Sequence, residues 1–157
     1  MKYLTDMFSK DISLTLDIFP PFLMVDKVIK FIPCDSIETI FKVSKDSWFF
    51  KSHLRKTPTM PGVLITECML QSSMLIIYDT KLTFRGKGVV HKFDVKLIEK
   101  IDQEITPLEL LTKSKLTSSK RGISVFESEC YINRTEKKIA TSKITHFVPT
   151  IPARKKL

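Results

Sequence analysis

Two titratable residues, His53 and Glu67, stand fourteen positions apart near the middle of the chain, with Pro61-Gly62 between them. An imidazole titrates near neutral pH, so His53 can act as a base. Glu67 falls inside a nearly unbroken apolar run, Val63 to Tyr78. Desolvation there raises a carboxyl pKa and keeps the group protonated, as a general acid requires. A Pro-Gly pair at a helix start leaves unpaired N–H groups and the positive dipole end facing outward. Gly62 has no side chain to block approach, so its N–H is the candidate for polarising a carbonyl. Gln71 lies four residues beyond Glu67 on the same helical face, placed to orient the carboxyl. Singly, each feature has a plainer reading: a satisfied loop histidine, a glutamate paired with a buried cation, an ordinary helix start. Together they form a set for moving protons on carbons beside a carbonyl.

The elements that must position this set follow from periodicity. Asp11 to Ile18 is a short helical turn with Asp11 as its N-cap, stopped by Pro20-Pro21. Leu23 to Ile32 and Ser36 to Val43 read as strands of a hairpin, joined by Pro33-Cys34-Asp35-Ser36. Ser44 to Met60 has no period and reads as a packed aromatic loop. Val63 to Tyr78 is helical by length and apolar on nearly every side, the mark of a buried helix. After a polar loop, Asp79 to Gly88, strands are expected at Val89 to Ile101, Pro107 to Leu116, Gly122 to Asn133 and Lys137 to Val148. Turns fall at Ser118 to Gly122 and Asn133 to Glu136, and broken alternation over Ser124 to Ser128 predicts a bulge. One all-apolar helix needs cover on every side, which a strongly curved antiparallel sheet supplies. The expected architecture is therefore an α+β hotdog fold over residues 1–150, with a basic tail at 151–157 that includes Arg154-Lys155-Lys156.

The stretch Phe49 to Gln71 reads FFKSHLRKTPTMPGVLITECMLQ. It resembles the FabZ-type 3-hydroxyacyl-acyl-carrier-protein dehydratases, keeping Phe49, Phe50, His53, Pro58, Met60, Pro61, Gly62, Val63, Leu64, Glu67, Met69 and Gln71 in register. Upstream, Pro21 to Asp26 (PFLMVD) is similar to the same family. Downstream, Lys92-Phe93 and Asp102 match its third block only in outline, without its P-G-D. The resemblance implies a hydro-lyase that removes water from a 3-hydroxyacyl thioester, with His53 as base, Glu67 as acid and the Gly62 N–H on the thioester oxygen. Gln71, Pro61, Val63, Cys68 and Leu70 are then the expected substrate-binding residues. It also implies a homodimer, or a higher homo-oligomer built of dimers, in which each site takes its histidine from one chain and its glutamate from the other. Three departures bear on the substrate: Ser52 replaces a glycine, Leu54-Arg55 replace Phe-Pro, and Cys68 and Leu70 replace two alanines. The fold also hosts thioesterases and enoyl-CoA hydratases, and catalytically degenerate partner subunits.

The formal net charge is +9 and favours acidic partners. The lysines are scattered, with no run of five basic residues. With the resemblance, the expected partner is an acidic acyl carrier protein docking on Lys51, Arg55 and Lys56, rather than nucleic acid or a membrane. Cys34, Cys68 and Cys130 show no metal-ligand spacing and read as reduced thiols. No secretory apolar segment follows Met1 to Asp6, and the longest apolar run contains Glu67 and Gln71. A soluble, cytoplasmic protein is expected. It needs no metal and no organic cofactor, since acid and base are both side chains.

Overall fold

The computed structural model describes residues 12–78 and 88–148. Asp11, the loop up to residue 87 and the basic tail lie outside the described residues. A short helix α1 (Ile12–Leu16) precedes the hairpin β1 (Lys27–Ile32) and β2 (Ser36–Val43). The long helix α2 (Gly62–Tyr78) follows, then β3 (Val89–Leu97), β4 (Leu108–Lys120), β5 (Ile123–Ile132) and β6 (Lys137–Phe147). The strands form one six-stranded sheet in the order β1-β2-β4-β5-β6-β3, antiparallel at every pairing. The sheet wraps α2, and this is the hotdog architecture.

The helix is buried because its composition leaves no other option. Ile65, Met69, Leu75 and Ile76 are at most 1% exposed, and each such side chain contributes about 1.5–3 kcal/mol by leaving water. Small hydroxyl residues let the sheet come close to it. Thr39 meets Ser72 at 2.6 Å, Ser114 meets Ser128 at 2.7 Å, and Ser142 donates to Met69 Sδ at 3.3 Å. Each buried hydroxyl thereby keeps a partner. One stripe of the helix opens outward: Val63 is 73% exposed, and Glu67, Leu70 and Met74 are half-buried.

Four details differ from expectation. The fourth strand runs to Lys120, not Leu116, so the turn expected over Ser118 to Gly122 shrinks to Arg121 and Gly122. The first strand begins at Lys27, not Leu23, because the backbone before it bonds to the helix instead of to a strand: Met24 N donates to Gln71 Oε1, and Gln71 Nε2 donates to Phe22 O. The third strand ends at Leu97, not Ile101. Beyond it the chain leaves the sheet, and Ile101 accepts a hydrogen bond from Met60 N at 2.8 Å. The predicted bulge over Ser124 to Ser128 is absent. That stretch alternates cleanly, with Ser124, Phe126 and Ser128 facing inward. The extra residue is Thr117 on the neighbouring strand, between Leu116↔Phe126 and Ser118↔Val125. The hidden alternation reflects small polar residues on the inner face. The hairpin beyond turns tightly on Arg121 and Gly122, both at positive φ. A Cβ at Gly122 would lie 2.5 Å from the Val148 oxygen, so only glycine fits.

Candidate active site

His53 is held from both sides of its loop. A 3₁₀ turn, Trp48–Lys51, buries Phe49 and Phe50 edge-to-face, their centroids 4.7 Å apart. The backbone N–H of His53 donates to Phe49 O at 3.0 Å, tying the histidine to this anchor. Leu54, next along, sits at φ 54, a left-handed conformation a leucine adopts only when its surroundings impose it. The imidazole Nδ1 is 2.7 Å from Thr59 O. A carbonyl can only accept, so Nδ1 carries the proton and Nε2 keeps its lone pair. That is the tautomer a base at Nε2 needs.

The histidine borders a cavity of about 320 Å³ with Met60, Gly62, Ile65, Leu97 and Ile98. Gly62 starts α2 and Leu97 lies against it: a Cβ there would fall 2.3 Å from Leu97 Cδ1. Glycine therefore lets the Leu97 side chain come close at this wall. Pro61, half-buried, precedes the first turn, and its carbonyl accepts from Leu64 N at 2.9 Å.

Glu67 borders a second cavity, of about 290 Å³, with Leu70, Gln71, Met74, Val90 and His146. Burial pushes its carboxyl pKa up, and the hydrogen bond from Gln71 opposes this in part. Gln71 Nε2 donates to Glu67 Oε1 at 2.8 Å and to Phe22 O at 2.9 Å, while its Oε1 accepts from Met24 N at 2.7 Å. The amide is thus a buried strut that aims the carboxyl, as expected of it. Of the other expected substrate contacts, Leu70 lines this cavity and Val63 faces outward. Cys68 is 0% exposed and belongs to the core, where burial pushes its thiol well up. Its bulk is taken up by packing against the sheet, so it does not meet the expectation of a pocket residue. Lys51, Arg55 and Lys56 are all exposed, on the loop that carries His53.

Within one chain, His53 and Glu67 do not meet. Ile65 and Glu67 are two residues apart on α2, roughly 200° around the helix, so the two cavities lie on different sides of it. Both reach the edge strand β3, but at opposite ends: Val90 lines the Glu67 cavity, and Leu97 and Ile98 line the His53 cavity.

Several residues here had no sequence signal. The walls contributed by Val90, Leu97 and Ile98 depend on where β3 joins the sheet. His91 is exposed on β3. His146 is fully buried, with Nε2 2.7 Å from Ser73 Oγ, and it also borders the Glu67 cavity. Burial lowers its pKa from 6.5 to about 4. The folded state disfavours the imidazolium, so stability present above pH 6.5 is lost as pH falls toward 4. The loss is on the order of 3 kcal/mol. Urea denaturation at pH 7 and pH 4 is expected to show this acid loss in the parent protein and a smaller one in His146→Gln.

Among the described residues, no group of three or more His, Cys, Asp or Glu is placed to hold a metal ion, and no helix is long and apolar enough to cross a membrane.

Comparison with known proteins bears on the same region. A family model described as a FabA-like domain matches residues 19–142. The chain is 34% identical over 133 residues to the 3-hydroxyacyl-[acyl-carrier-protein] dehydratase FabZ of Wolbachia sp. subsp. Brugia malayi, covering 83% of this chain and 89% of that one. It is 31% identical over 114 residues to the protein of the same name from Shewanella denitrificans, covering 72% and 74%. Among solved structures, it is similar to the dehydratase heterocomplex ApeI:P from Xenorhabdus doucetiae, with TM-score 0.71, 17% identity and coverage of 88% and 91%. It is also similar to zebra fish thioesterase superfamily member 2, with TM-score 0.67, 15% identity and coverage of 92% and 97%. These two share the fold, which by itself serves more than one chemistry. The family match takes in His53, Gly62, Glu67 and the strand β3, and on that match the chain belongs to the FabA-like family.

Proposed function

We propose that this protein is a 3-hydroxyacyl-[acyl-carrier-protein] dehydratase acting in the cytoplasm as a homodimer with shared active sites. One observation carries the reading. An imidazole beside Gly62 and a desolvated carboxyl border two cavities at opposite ends of one sheet edge that no described strand covers.

That edge supports the assembly. On β3 and just beyond it, Val89, Val90, Phe93, Leu97 and Ile98 are 39–55% exposed, on a strand whose outer hydrogen-bonding side has no strand beside it among the described residues. An exposed apolar edge strand is a template for pairing. Val90 and Leu97 are seven residues apart, about 23 Å at ~3.3 Å per residue. An antiparallel β3–β3 pair centred on a two-fold axis near Phe93 and Asp94 sets Val90 of one copy opposite Leu97 of the other. The Glu67 cavity of each copy then joins the His53 cavity of its neighbour, and both composite sites are complete.

In such a site the thioester carbonyl oxygen accepts from the Gly62 N–H, supported by the positive end of α2. His53 Nε2 removes a proton from C2. Glu67 gives its proton to the C3 hydroxyl, which leaves as water with the C3–O electron pair, and the pair left on C2 by the departing proton becomes the second C2–C3 bond of a 2-enoyl thioester. The raised Glu67 pKa suits the acid, and the Thr59 carbonyl keeps the imidazole in the tautomer that suits the base. The test is incubation with a 3-hydroxyacyl carrier protein. A 2-enoyl product is expected. Release of free thiol would instead mark a thioesterase, and no turnover would mark a subunit that needs another partner.

The cationic loop residues supply a docking surface. Reversing Lys51, Arg55 and Lys56 to Glu is expected to weaken turnover of carrier-bound substrate far more than turnover of a short pantetheine analogue, which has no acidic surface to dock. Equal losses in kcat/KM on both substrates would remove the carrier from the proposal.

A further inference from the structure

The loop that carries His53 is stapled to the chain just beyond β3 by two backbone hydrogen bonds and one between side chains. Met60 N donates to Ile101 O at 2.8 Å, and Gln103 N donates to Pro58 O at 2.9 Å. Between them, Thr59 and Asp102 form an isolated antiparallel bridge. The side chains repeat that pairing, with Thr59 Oγ1 2.8 Å from Asp102 Oδ1. The same hydroxyl is also 2.8 Å from Thr57 O. It has one proton for two acceptors, and an ionised carboxylate is the stronger acceptor. Lys100, 2.8 Å from Asp102 Oδ2, and the Thr59 hydroxyl hold the Asp102 carboxyl below its usual range, so it is ionised at neutral pH.

Thr59 therefore serves two masters. Its hydroxyl is held by Asp102, and its carbonyl receives the Nδ1 proton of His53 at 2.7 Å. An imidazole has two near-equal tautomers, and what decides between them is the partner of one ring nitrogen. Here that partner is a backbone carbonyl whose direction depends on the orientation of a single peptide. Without Asp102 the Thr59 side chain keeps only its local bond to Thr57 O, and the peptide loses one of its two tethers across the loop, keeping only the bond from Met60 N to Ile101 O.

We infer that Asp102 is a positioning residue for the dehydration: through Thr59 it aims the carbonyl that keeps His53 in its Nδ1–H tautomer, with Nε2 free as the base. The inference rests on the reading of His53 as the base. Neither the His53-to-Glu67 spacing nor the family match assigns Asp102 a role. It couples two segments 43 residues apart in sequence and lies beyond the reacting groups.

The test combines kinetics with ¹⁵N NMR of the neutral His53 imidazole, which distinguishes the two tautomers directly. Asp102→Ala is expected to lower kcat roughly ten- to a hundredfold, with KM little changed, and to convert the single Nδ1–H signal into a mixture of tautomers. Thr59→Val should do the same. Thr59→Ser keeps the hydroxyl and should restore both readouts. Asp102→Asn retains an acceptor for Thr59 and should stay near the parent, as should Lys100→Ala, which leaves Asp102 in place. If Asp102→Ala does not fold, Thr59→Val carries the same comparison. An unchanged tautomer in a folded Asp102→Ala or Thr59→Val protein overturns the proposal, whatever happens to the rate. So does a Lys100→Ala protein that reproduces the full loss. If the parent protein forms no 2-enoyl product but the tautomer still shifts, the positioning stands and the dehydratase reading fails. The two outcomes are therefore separable.

Discussion

His53→Ala protein is expected to melt like the parent and to lose dehydration altogether. The side chain is half-buried at the wall of a cavity, and Phe49 and Phe50, not the imidazole, anchor its loop. Its removal therefore deletes the base and spares the fold. Glu67→Gln should cost about 10²–10⁴-fold in kcat. An amide fills the same space and can still meet Gln71, but it has no acidic proton to give. The pH profile follows from the role of the acid. Activity requires protonated Glu67, so it falls on the alkaline side as the carboxyl ionises. Burial moves that alkaline limb above the ordinary carboxylate range. Steady-state rates across pH in the parent protein and in Glu67→Gln check this, since the variant should lose the alkaline limb. Turnover within tenfold of the parent would limit Glu67 to holding the substrate. Substantial turnover by folded His53→Ala protein would remove His53 from the mechanism.

Mixing the two dead proteins should restore activity. If His53→Ala and Glu67→Gln chains are unfolded together and refolded, random pairing makes half the dimers mixed. In a shared-site dimer each mixed pair has one site with both lesions and one with neither. Recovery of roughly a quarter of parental activity is therefore expected. If both residues came from one chain, every site would keep one lesion and the mixture would stay inactive. A dead mixture in which mass spectrometry finds mixed dimers would refute the shared site. The placement of the two cavities at opposite ends of β3 motivates the experiment, because no single chain brings the acid to the base.

Much of the molecule was legible from residue types alone. The buried helix announced itself because an apolar surface on every side leaves a helix no solvent face. Ser36 to Val43 alternated plainly enough that the strand falls at those residues. The Gln71 strut followed from i, i+4 spacing on the same helix. The inner face of β5 was harder to read. Ser124 and Ser128 look like surface residues until the helix is seen pressed against them, and their partners, Ser119 and Ser114, come from another strand.

Local sequence determined which residues can do chemistry: an imidazole, a carboxyl made weakly acidic by its apolar neighbours, and a glycine at a helix start. Those properties depend on side-chain type and on a few residues either side, so they survive without a structure. What only the tertiary structure decided is which of them share a space. Nothing in the order of residues says that β3 lies at the sheet edge, that Leu97 packs on Gly62, or that Thr59 bridges to Asp102. These contacts join segments tens of residues apart, and their geometry is set by the curvature and register of the whole sheet. That is why the fourteen-residue spacing of His53 and Glu67 says nothing of where they lie, while in the folded chain they border separate cavities on different sides of a helix.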